Sequence, residues 1–529
     1  ALGATMYLFE NGFSILGGNI LSTMAGEFAF SISLTFAVFY LAALFKGIET
    51  GRYRALGAVL FGLTIACHLI PAIFAAVATV VIVLVRREDR TPWWDGGWGS
   101  GRFGRVAGAA LVAFVLVQLW LVPGGFPVLA TVAALLMLAG FDLRALRWSA
   151  VAAPVGFLLA AFWFIPFFLN SAFLNDMGWE KYTNYADYLW PQPEQFDMAN
   201  RNLWFALAGA GIVLSLVHRI RLGWFLTMTL VAFGWLFVFL PQYRLWNARL
   251  LPFYYLCLYL LAALGVALVI RAVAVVLGDL LGMRREPAYV GVTGMVLVGL
   301  VALVYVSGSL QALPGGGPGQ RTLADGEVIT TYEWGPLRFQ DLNNASNWAR
   351  YNFAGLEDPA KAYDEYSSMI AMMDQVGRDN GCGRTMWEYE SELNRFGTPM
   401  APMMLPYFTD GCIGSMEGLY FEASSTTPFH FINQSELSPS PSRPQRDLPY
   451  PEFDVDAGVR HLQLMGVRYY LAATDQAVDA ARLSPELTEI ASTAEFPQAD
   501  GSVRQWVVFE VADAPLVESL ENLPVVLTP

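Results

Sequence analysis

Charged residues are scarce in this sequence, and the scarcity is uneven. Lysine, arginine, aspartate and glutamate make up 15% of the 529 residues, whereas 55% of the residues are hydrophobic. Average soluble domains carry about 25% charged residues, so the composition excludes an ordinary soluble protein and favours a membrane protein. The apolar runs end near residue 309, and residues 322–529 have the composition of a soluble domain.

Histidine and cysteine are also rare, with four of each in the chain. The sequence contains no HExxH, CxxC, P-loop or GxSxG motif, and no GxGxxG that precedes a suitable helix. These absences argue against a zincin, an ATPase, a serine hydrolase and a dehydrogenase of the usual kinds.

Basic residues are few after residue 309, where 13 lysines and arginines face 31 aspartates and glutamates. Residues 1–309 carry 19 basic and 14 acidic residues, so the acidity of the chain belongs to its C-terminal part. Because nucleic-acid binding needs a basic surface, no nucleic-acid partner is expected.

Ten apolar stretches are long enough to predict helices. They cover residues 27–45, 55–69, 70–85, 106–122, 126–141, 149–168, 202–217, 222–240, 250–270 and 288–309. A crossing helix needs about 20 residues, and several stretches are shorter. Pro71 breaks one pair, which predicts two short crossings or one re-entrant hairpin. We therefore expect a polytopic α-helical membrane domain of about ten spans over residues 1–309.

The loops between these stretches carry their basic residues on alternate sides. If "KGIETGRYR" is cytoplasmic and the chain alternates, 15 of the 19 basic residues up to residue 309 are cytoplasmic. The positive-inside rule then predicts a multi-pass protein of the plasma membrane. Its outer side would hold Glu27, residues 169–201, residues 241–249 and the whole C-terminal domain.

Two ionisable residues lie where apolar stretches meet the predicted outer face. Glu27 begins the first stretch, and His68 ends the second. Ionisable residues at membrane depth are candidates for function, so both are candidate catalytic residues. The alternatives are structural: Glu27 as a helix cap that the helix dipole favours, and His68 as a satisfied hydrogen-bonding residue.

The predicted outer loops offer candidate substrate-binding residues. In residues 169–201, Asp187, Glu194 and Trp190 combine carboxylates with an aromatic face, which suits sugar binding; an interfacial aromatic belt is the alternative. In the loop at 241–249, Arg244 and Arg249 match phosphate oxygens with their guanidinium forks. Snorkelling of these arginines to lipid headgroups is the alternative.

The C-terminal part begins with residues 310–321, whose glycines and prolines predict a linker. Residues 322–529 predict an extracytoplasmic α+β domain. Within it "VRHLQLMGVRYYLAA" predicts a helix, a turn at Gly466 and a buried strand, and "RQWVVFEVA" predicts another strand. Cys382 and Cys412 fall outside the cytoplasm, which favours a disulfide over two unpaired thiols.

Six segments carry a family resemblance. They are "GGNILSTMAGEFAFSISL", "HLIPA", "NARLLPFYYLCLYLLAALGV", "CGRTMWEYESELNRFGTPM", "LPYFTDGCIGSMEGLYFEASSTTPFHF" and "GVRYYLA". With them, nearly the whole chain resembles actinobacterial polytopic membrane proteins described as 6-pyruvoyl-tetrahydropterin synthase-related. That description does not imply the synthase activity, because those synthases are soluble zinc enzymes with three clustered histidines. The four histidines of this chain are scattered over both predicted sides of the membrane.

The architecture also resembles the C-type (GT-C-like) membrane glycosyltransferases. The resemblance implies a polyprenyl-phosphate sugar donor, an envelope glycan acceptor and sugar transfer at the outer face. It also implies an acidic base or metal ligand in the first outer loop, with Mg²⁺ or Mn²⁺ as a possible cofactor. Glu10 is the only acid before Glu27. With no initiator Met or signal peptide at the start of the sequence, we expect a further helix and outer loop upstream.

Three functions are compatible with these observations. The first is a membrane glycosyltransferase of cell-envelope assembly, with Glu27 as base and Arg244 or Arg249 holding the lipid phosphate. The second is a non-catalytic membrane scaffold or a protein that binds a lipid-linked glycan. The third is a transporter or flippase, although such proteins usually show internal repeats and none is visible in this sequence.

Overall fold

A computed structural model gives the fold of two compact units. The structure describes residues 2–10, 13, 15–85, 142–174, 182, 184–191, 198, 200–218, 220–241, 245–280, 293–303, 315–322, 328–340, 355, 362–417, 427–444, 448–498, 501–517, 519 and 522. The first unit is drawn from residues 1–170, 182–242 and 246–346, and the second from residues 171–181, 243–245 and 347–529. The domains predicted at 1–309 and 322–529 are defined by a change in composition, whereas these two units are defined by which residues pack together.

The first unit is mainly helical. Its helices are α1 Leu2–Leu8, α2 Ile20–Met24, α3 Phe28–Thr50, α4 Arg54–Cys67, α5 Leu69–Leu84, α6 Leu143–Leu159, α7 Ala161–Leu169, α8 Arg201–Val217, α9 Arg221–Phe239, α10 Leu251–Leu280 and α11 Thr293–Leu303. Two 3-10 helices, Tyr185–Leu189 and Asn247–Leu250, precede α8 and α10.

Several of these helices are suited to a membrane. Phe28–Thr50, Arg221–Phe239 and Asn247–Arg271 are long and apolar enough to cross one, and α6 with α7 makes a fourth crossing if the bent pair counts as one span. The helices α4, α5, α8 and α11 are apolar but shorter. These lengths and compositions indicate a membrane protein. Two predicted spans, 106–122 and 126–141, lie outside the described residues.

The predicted span 149–168 is divided into α6 and α7, which meet at an angle of 75°. The N–H of Ala160 donates to the carbonyl of Phe157 at 3.1 Å, a tighter turn than that of an α-helix. Each helix also contains a proline, Pro154 in α6 and Pro166 in α7. A proline inside a helix lacks the N–H that would continue the hydrogen-bond ladder, so the sequence weakens this span on both sides of the bend.

The break that was predicted at Pro71 lies at His68. This residue has extended backbone, with φ −163° and ψ 134°, and separates α4 from α5. Pro71 lies in the first turn of α5, where backbone N–H groups have no partner inside the helix. A proline is tolerated there because the donor it lacks would be unused.

The helical unit has two ends, which we name after one carboxylate at each. At the Glu27 end, the tyrosine hydroxyls of Tyr254 and Tyr255 donate to the carbonyls of Leu189 and Tyr188 at 2.9 and 2.5 Å. These bonds attach the 3-10 helix Tyr185–Leu189 to the start of α10.

At the Asp142 end, Trp148 of α6 is buried between α3 and α4. Its indole N–H donates to the carbonyl of Arg52 at 2.7 Å. Gly47 of α3 and Gly57 of α4 face the ring, and a Cβ at either position would overlap it. The absence of two side chains thus makes room for one large one.

The helices α8 and α10 approach closely through small residues. A Cβ at Gly211 would overlap the carbonyl of Leu261, and a Cβ at Gly265 would overlap that of Leu207. Such contacts between backbones are typical of helices that pack inside a membrane, where small residues replace a hydrophobic driving force.

A small antiparallel sheet also belongs to the first unit. Its order is β1-β2-β3, with β1 Gly317–Thr322, β2 Val328–Trp334 and β3 Leu337–Gln340. The side chain of Asn200, which precedes α8, accepts a bond from the N–H of Arg338 at 3.1 Å. The predicted linker 310–321 therefore contributes most of strand β1, and β3 of the same sheet bonds to the residue that precedes α8.

The second unit is built around one five-stranded sheet. Its elements are α12 Tyr363–Asn380, β4 Gly383–Trp387, α13 Leu405–Phe408, β5 Ile413–Ser415, α14 Thr427–Leu437, α15 Val455–Leu464, β6 Tyr469–Ala472, α16 Asp475–Leu483, β7 Leu487–Ser492, β8 Phe496–Pro497, β9 Val503–Arg504 and β10 Val507–Val511. The strand order is β5-β4-β6-β10-β7, with β4 parallel to β5 and β6 and with β10 antiparallel to β6 and β7.

Both faces of this sheet are buried, and each face has its own core. Alternate residues of a strand point to opposite faces, so a single strand contributes to both cores. Leu471 of β6 belongs to a core that Met369 and Met373 of α12 complete. Its neighbour Tyr470 belongs to the opposite core, with Val459 of α15. Helices on both faces explain why β6 is apolar throughout.

A disulfide joins the starts of the two strands β4 and β5. Cys382 and Cys412 are bonded through their sulfur atoms, and their Cα atoms are 4.6 Å apart. The N–H of Gly383 also donates to the carbonyl of Cys412 at 3.0 Å. The covalent bond thus anchors the edge strand β5, which has only three residues.

Candidate functional site

The Glu27 side chain forms an ion pair rather than a helix cap. It precedes α3 but makes no hydrogen bond to the backbone of that helix. Its two carboxylate oxygens lie 2.8 and 2.9 Å from Nη1 of Arg249, and each side chain is 18% exposed. The position of Glu27 at the helix start is as predicted, whereas its partner lies 222 residues further along the chain.

The chain before Glu27 is fixed by a buried asparagine. Asn19 caps α2 by accepting from the N–H of Ser22 at 2.9 Å. Its amide group donates to the carbonyls of Glu10 and Phe13 at 2.6 and 2.7 Å. Gly18 precedes it with φ +82°, and a Cβ there would overlap the hydroxyl of Tyr7. The "GGN" segment thereby sets the direction in which the chain enters α3.

His68 lies beside this ion pair. Its ring centroid is 5.2 Å from that of Phe30, one turn along α3 from Glu27. The hydroxyl of Ser33 donates to the His68 carbonyl at 3.2 Å, and the charge of Arg249 acts electrostatically on the His68 ring. The structure therefore brings together three of the predicted site residues, Glu27, His68 and Arg249.

The His68 ring has one nitrogen already in use. Nδ1 accepts a bond from the N–H of Ile70 at 3.2 Å and so caps α5. An accepting nitrogen carries no proton, so the neutral ring carries its proton on Nε2. The geometry makes His68 a hydrogen-bond donor toward a ligand rather than a base.

Arg249 is positioned by a residue that the sequence did not single out. Asn247 is buried, and its amide donates to the carbonyls of Phe237 and Leu240 at 2.8 and 3.3 Å. These bonds satisfy the C-terminal end of α9 and hold the 3-10 helix that carries Arg249. A polar amide inside the apolar run "LWNARLLPF" was the available signal.

A group of phenylalanines adjoins the ion pair. Phe30 stacks on Phe253 with ring centroids 5.7 Å apart, and Phe253 stacks on Phe74 at 4.6 Å. All three rings are buried. An apolar surrounding of this kind lowers the local dielectric and strengthens electrostatic interactions at its border.

The predicted aromatic loop is largely packed against itself. Tyr182 stacks on Tyr188 with centroids 4.2 Å apart, and Tyr185 contacts Phe237 edge-on at 5.1 Å. These rings therefore form part of the protein's own packing.

The predicted sugar-binding residues of this loop have partners within the chain. Trp190 is 46% exposed and contacts Phe205 and the guanidinium of Arg201. Asp187 is exposed and accepts a bond from the side chain of Asn184 at 2.8 Å. Glu194 and Arg244 lie outside the described residues.

A second carboxylate, Glu10, is buried in the same unit. It is 4% exposed, and the hydroxyl of Tyr259 donates to it. The sequence identified Glu10 only as an acid upstream of Glu27, because nothing local shows that α1 packs against α10. This contact fixes the segment between α1 and α2.

Among the described residues, no three His, Cys, Asp or Glu side chains are close enough together to hold a metal ion. Glu27 and the neighbouring His68 offer one carboxylate and one imidazole of the ordinary ligand types. The expected Mg²⁺ or Mn²⁺ cofactor stays a prediction from the family resemblance.

The second unit has its own buried polar helix. On α14, His430 lies 3.2 Å from the carboxylate of Glu417, and Glu436 lies 2.6 Å from Nδ1 of His461. Both glutamates are buried. Each of the two histidines of this unit is thus matched with a carboxylate, which stabilises α14 and its contact with α15.

Searches against protein-family models, curated proteins and solved structures found no match for this chain. Glu27 supplies a carboxylate that can accept a proton, Arg249 a guanidinium that can bind an oxyanion, and His68 an N–H donor.

Proposed function

We propose that this protein is a membrane glycosyltransferase that uses a polyprenyl-phosphate-linked sugar at the outer face of the plasma membrane. The convergence of Glu27, Arg249 and His68 at one end of the helical unit is the observation that carries the proposal. A transfer of this kind needs a general base for the acceptor hydroxyl and a stabiliser for the leaving phosphate.

In this reaction each of the three residues has a separate task. Glu27 takes the proton of the acceptor hydroxyl as that oxygen forms a bond to the anomeric carbon of the donor sugar. The bond from this carbon to the phosphate oxygen breaks, and the polyprenyl phosphate leaves with the electron pair. Arg249 stabilises its negative charge, and Nε2–H of His68 donates to an oxygen of the donor.

The membrane arrangement in this proposal goes beyond the helices described above. About ten spans, the C-type architecture, the actinobacterial family and an extracytoplasmic second unit that faces an envelope glycan acceptor are all parts of it. The distribution of basic residues supports the orientation. The disulfide in the second unit supports an oxidising compartment for that unit.

One observation favours a second function, that of a non-catalytic scaffold or a protein that binds a lipid-linked glycan. Glu27 and Arg249 already neutralise each other, as the two members of a purely structural ion pair would. A scaffold of this kind would need neither residue to react.

Sugar transfer by membranes that contain the full-length protein tests the proposal. Radiolabelled polyprenyl-phosphate mannose and arabinose serve as donors, and label in an envelope glycan is measured. We expect Glu27→Gln to lose transfer by about 100-fold or more, the usual effect of removing a general base. The matched control is Asp142→Asn, which alters the ion pair with Arg221 at the other end of the same unit.

Two results would decide against the enzyme. One is the absence of transfer from either donor while Glu27→Gln still complements a deletion strain, which would favour the scaffold. The other is an equal loss of transfer per folded molecule in Glu27→Gln and Asp142→Asn, which would reduce Glu27 to a stabilising residue.

A further inference from the structure

Arg249 already has an anionic partner. Nη1 of the guanidinium lies 2.8 and 2.9 Å from the two oxygens of Glu27. The pair is also partly exposed, with 18% of each side chain accessible. An incoming oxyanion could therefore reach the guanidinium and compete with Glu27.

A phosphate is a stronger competitor than a carboxylate for this guanidinium. It presents more oxygens and accepts the fork of an arginine in a bidentate way. Binding it at Arg249 would separate Glu27 from the charge that now neutralises it. The phosphate would take over the role that Glu27 has in the resting protein.

We propose that Arg249 exchanges partners, holding Glu27 in the resting protein and the donor phosphate in the loaded one. This inference rests on the proposed function, in which the donor is a lipid-linked sugar phosphate. The exchange releases the Glu27 carboxylate only when a donor is bound. The acceptor hydroxyl is then activated after donor binding and not before it, so donor binding precedes the chemical step.

The neighbouring histidine does not supply an alternative base. Nδ1 of His68 accepts the N–H of Ile70, so using this nitrogen for a proton would break the cap of α5. The ring remains a donor through Nε2, which can hold an oxygen of the incoming donor. The exchange therefore makes Glu27 the base and leaves His68 to orient the ligand.

The exchange predicts an unusual effect on ligand affinity. In Glu27→Gln the competitor of the phosphate has lost its charge, so a lipid phosphate should bind about fivefold more tightly than to the wild type, the size of a partly exposed ion pair. A residue that merely helps to build the site would weaken binding when changed. Arg249→Gln should abolish the binding.

The experiment uses the full-length protein in lipid nanodiscs, with farnesyl phosphate as the probe and farnesol as its phosphate-free control. Binding is followed by tryptophan fluorescence for the wild type, Glu27→Gln, Arg249→Gln and the control Asp142→Asn. The control should bind like the wild type. If Glu27→Gln does not fold, Glu27→Asp replaces it, because the shorter side chain weakens the pair, and a smaller gain in affinity is expected.

The outcomes separate the two proposals. Unchanged or weaker binding of farnesyl phosphate by the Glu27 variant, with normal binding by the wild type, would overturn the exchange and leave the proposed function standing. If the wild type binds farnesyl phosphate no better than farnesol, the lipid-phosphate donor and the exchange are both wrong.

Discussion

Two ion pairs at opposite ends of the helical unit use the same chemistry in different ways. Asp142 and Arg221 are 2.7 Å apart, and Glu27 and Arg249 are 2.8 Å apart. The Asp142 carboxylate is 3% exposed, whereas that of Glu27 is 18% exposed. Distance alone does not distinguish the pairs, so the other bonds of each residue have to be compared.

Both members of the Asp142 pair also bond to helix ends. One carboxylate oxygen of Asp142 caps α6 by accepting from the N–H groups of Arg144 and Ala145 at 2.9 and 3.2 Å. Arg221 also donates to the carbonyl of Ile82 at the end of α5, at 3.3 Å. Glu27, by contrast, makes no cap bond to α3. Asp142 thus caps a helix and pairs with an arginine that also bonds to a second helix end, whereas Glu27 caps no helix.

The largest expected difference between the pairs is in stability. Asp142→Asn keeps a cap acceptor but removes the buried charge that Arg221 pairs with, which should lower the free energy of unfolding by about 3 kcal/mol. Glu27→Gln should cost about 1 kcal/mol or less, because its pair is partly exposed. Thermal unfolding of both variants in nanodiscs measures the difference.

The control for this comparison is Glu49→Gln. Glu49 pairs with Lys46 at 3.7 Å, and both side chains are more than half exposed, so its loss should leave the melting temperature unchanged. If Glu27→Gln and Asp142→Asn lower the melting temperature equally, the Asp142 pair does not contribute more to stability than the Glu27 pair, and the distinction between them is wrong.

A smaller effect should come from crowding the Asp142 end. Gly57→Ala places a Cβ against the ring of Trp148, and overpacking of this kind costs about 2 kcal/mol. Gly209→Ala in α8 is the matched control, since no atom outside its helix lies within 4 Å of the new Cβ. The control should gain up to about 1 kcal/mol from helix propensity. Equal melting temperatures for the two variants would show that Trp148 is not tightly held.

The helix starts at the Glu27 end could be predicted from hydropathy, but their contacts could not. The first predicted stretch begins at Glu27, and α3 begins at Phe28. The same pattern gave no sign that Arg249 would be the partner, because 222 residues separate the pair. Long-range partners depend on how the helices assemble, and a local period contains no information about that.

Glycine and proline were the least reliable local signals. Pro71 predicted a break but lies within the first turn of α5, because a helix tolerates proline where its N–H groups are unpaired. The glycine-rich segment predicted a linker, yet Gly317 and Gly319 pair with Glu333 and Thr331 in a sheet. In both cases the position of the residue in the folded structure outweighed the average conformational preference of that residue type.

The smallest expected effect concerns a carboxylate of the second unit that resembles Asp142. Glu388 accepts bonds from the N–H groups of Ala473 and Thr474, at 2.7 and 2.8 Å, and from the hydroxyl of Thr474. It thereby stabilises the start of α16. Burial nevertheless raises the pKa of its carboxyl above the ordinary value of 4.5, although the bonds oppose the shift.

This raised pKa gives Glu388 a distinctive pH dependence. The folded protein binds the proton more tightly than the unfolded chain, so the contribution of Glu388 to the free energy of unfolding rises as the pH falls through its folded pKa toward 4.5. As the pH falls from 7 to 5, the melting temperature of the wild type should therefore rise relative to that of Glu388→Gln. Glu452→Gln, at an exposed carboxylate paired with Arg443 at 3.9 Å, is the control and should follow the wild type. If acidification instead lowers the stability of the wild type relative to Glu388→Gln, the three hydrogen bonds outweigh burial. The pKa of Glu388 would then be lowered in the folded protein, and its charged form would stabilise the fold.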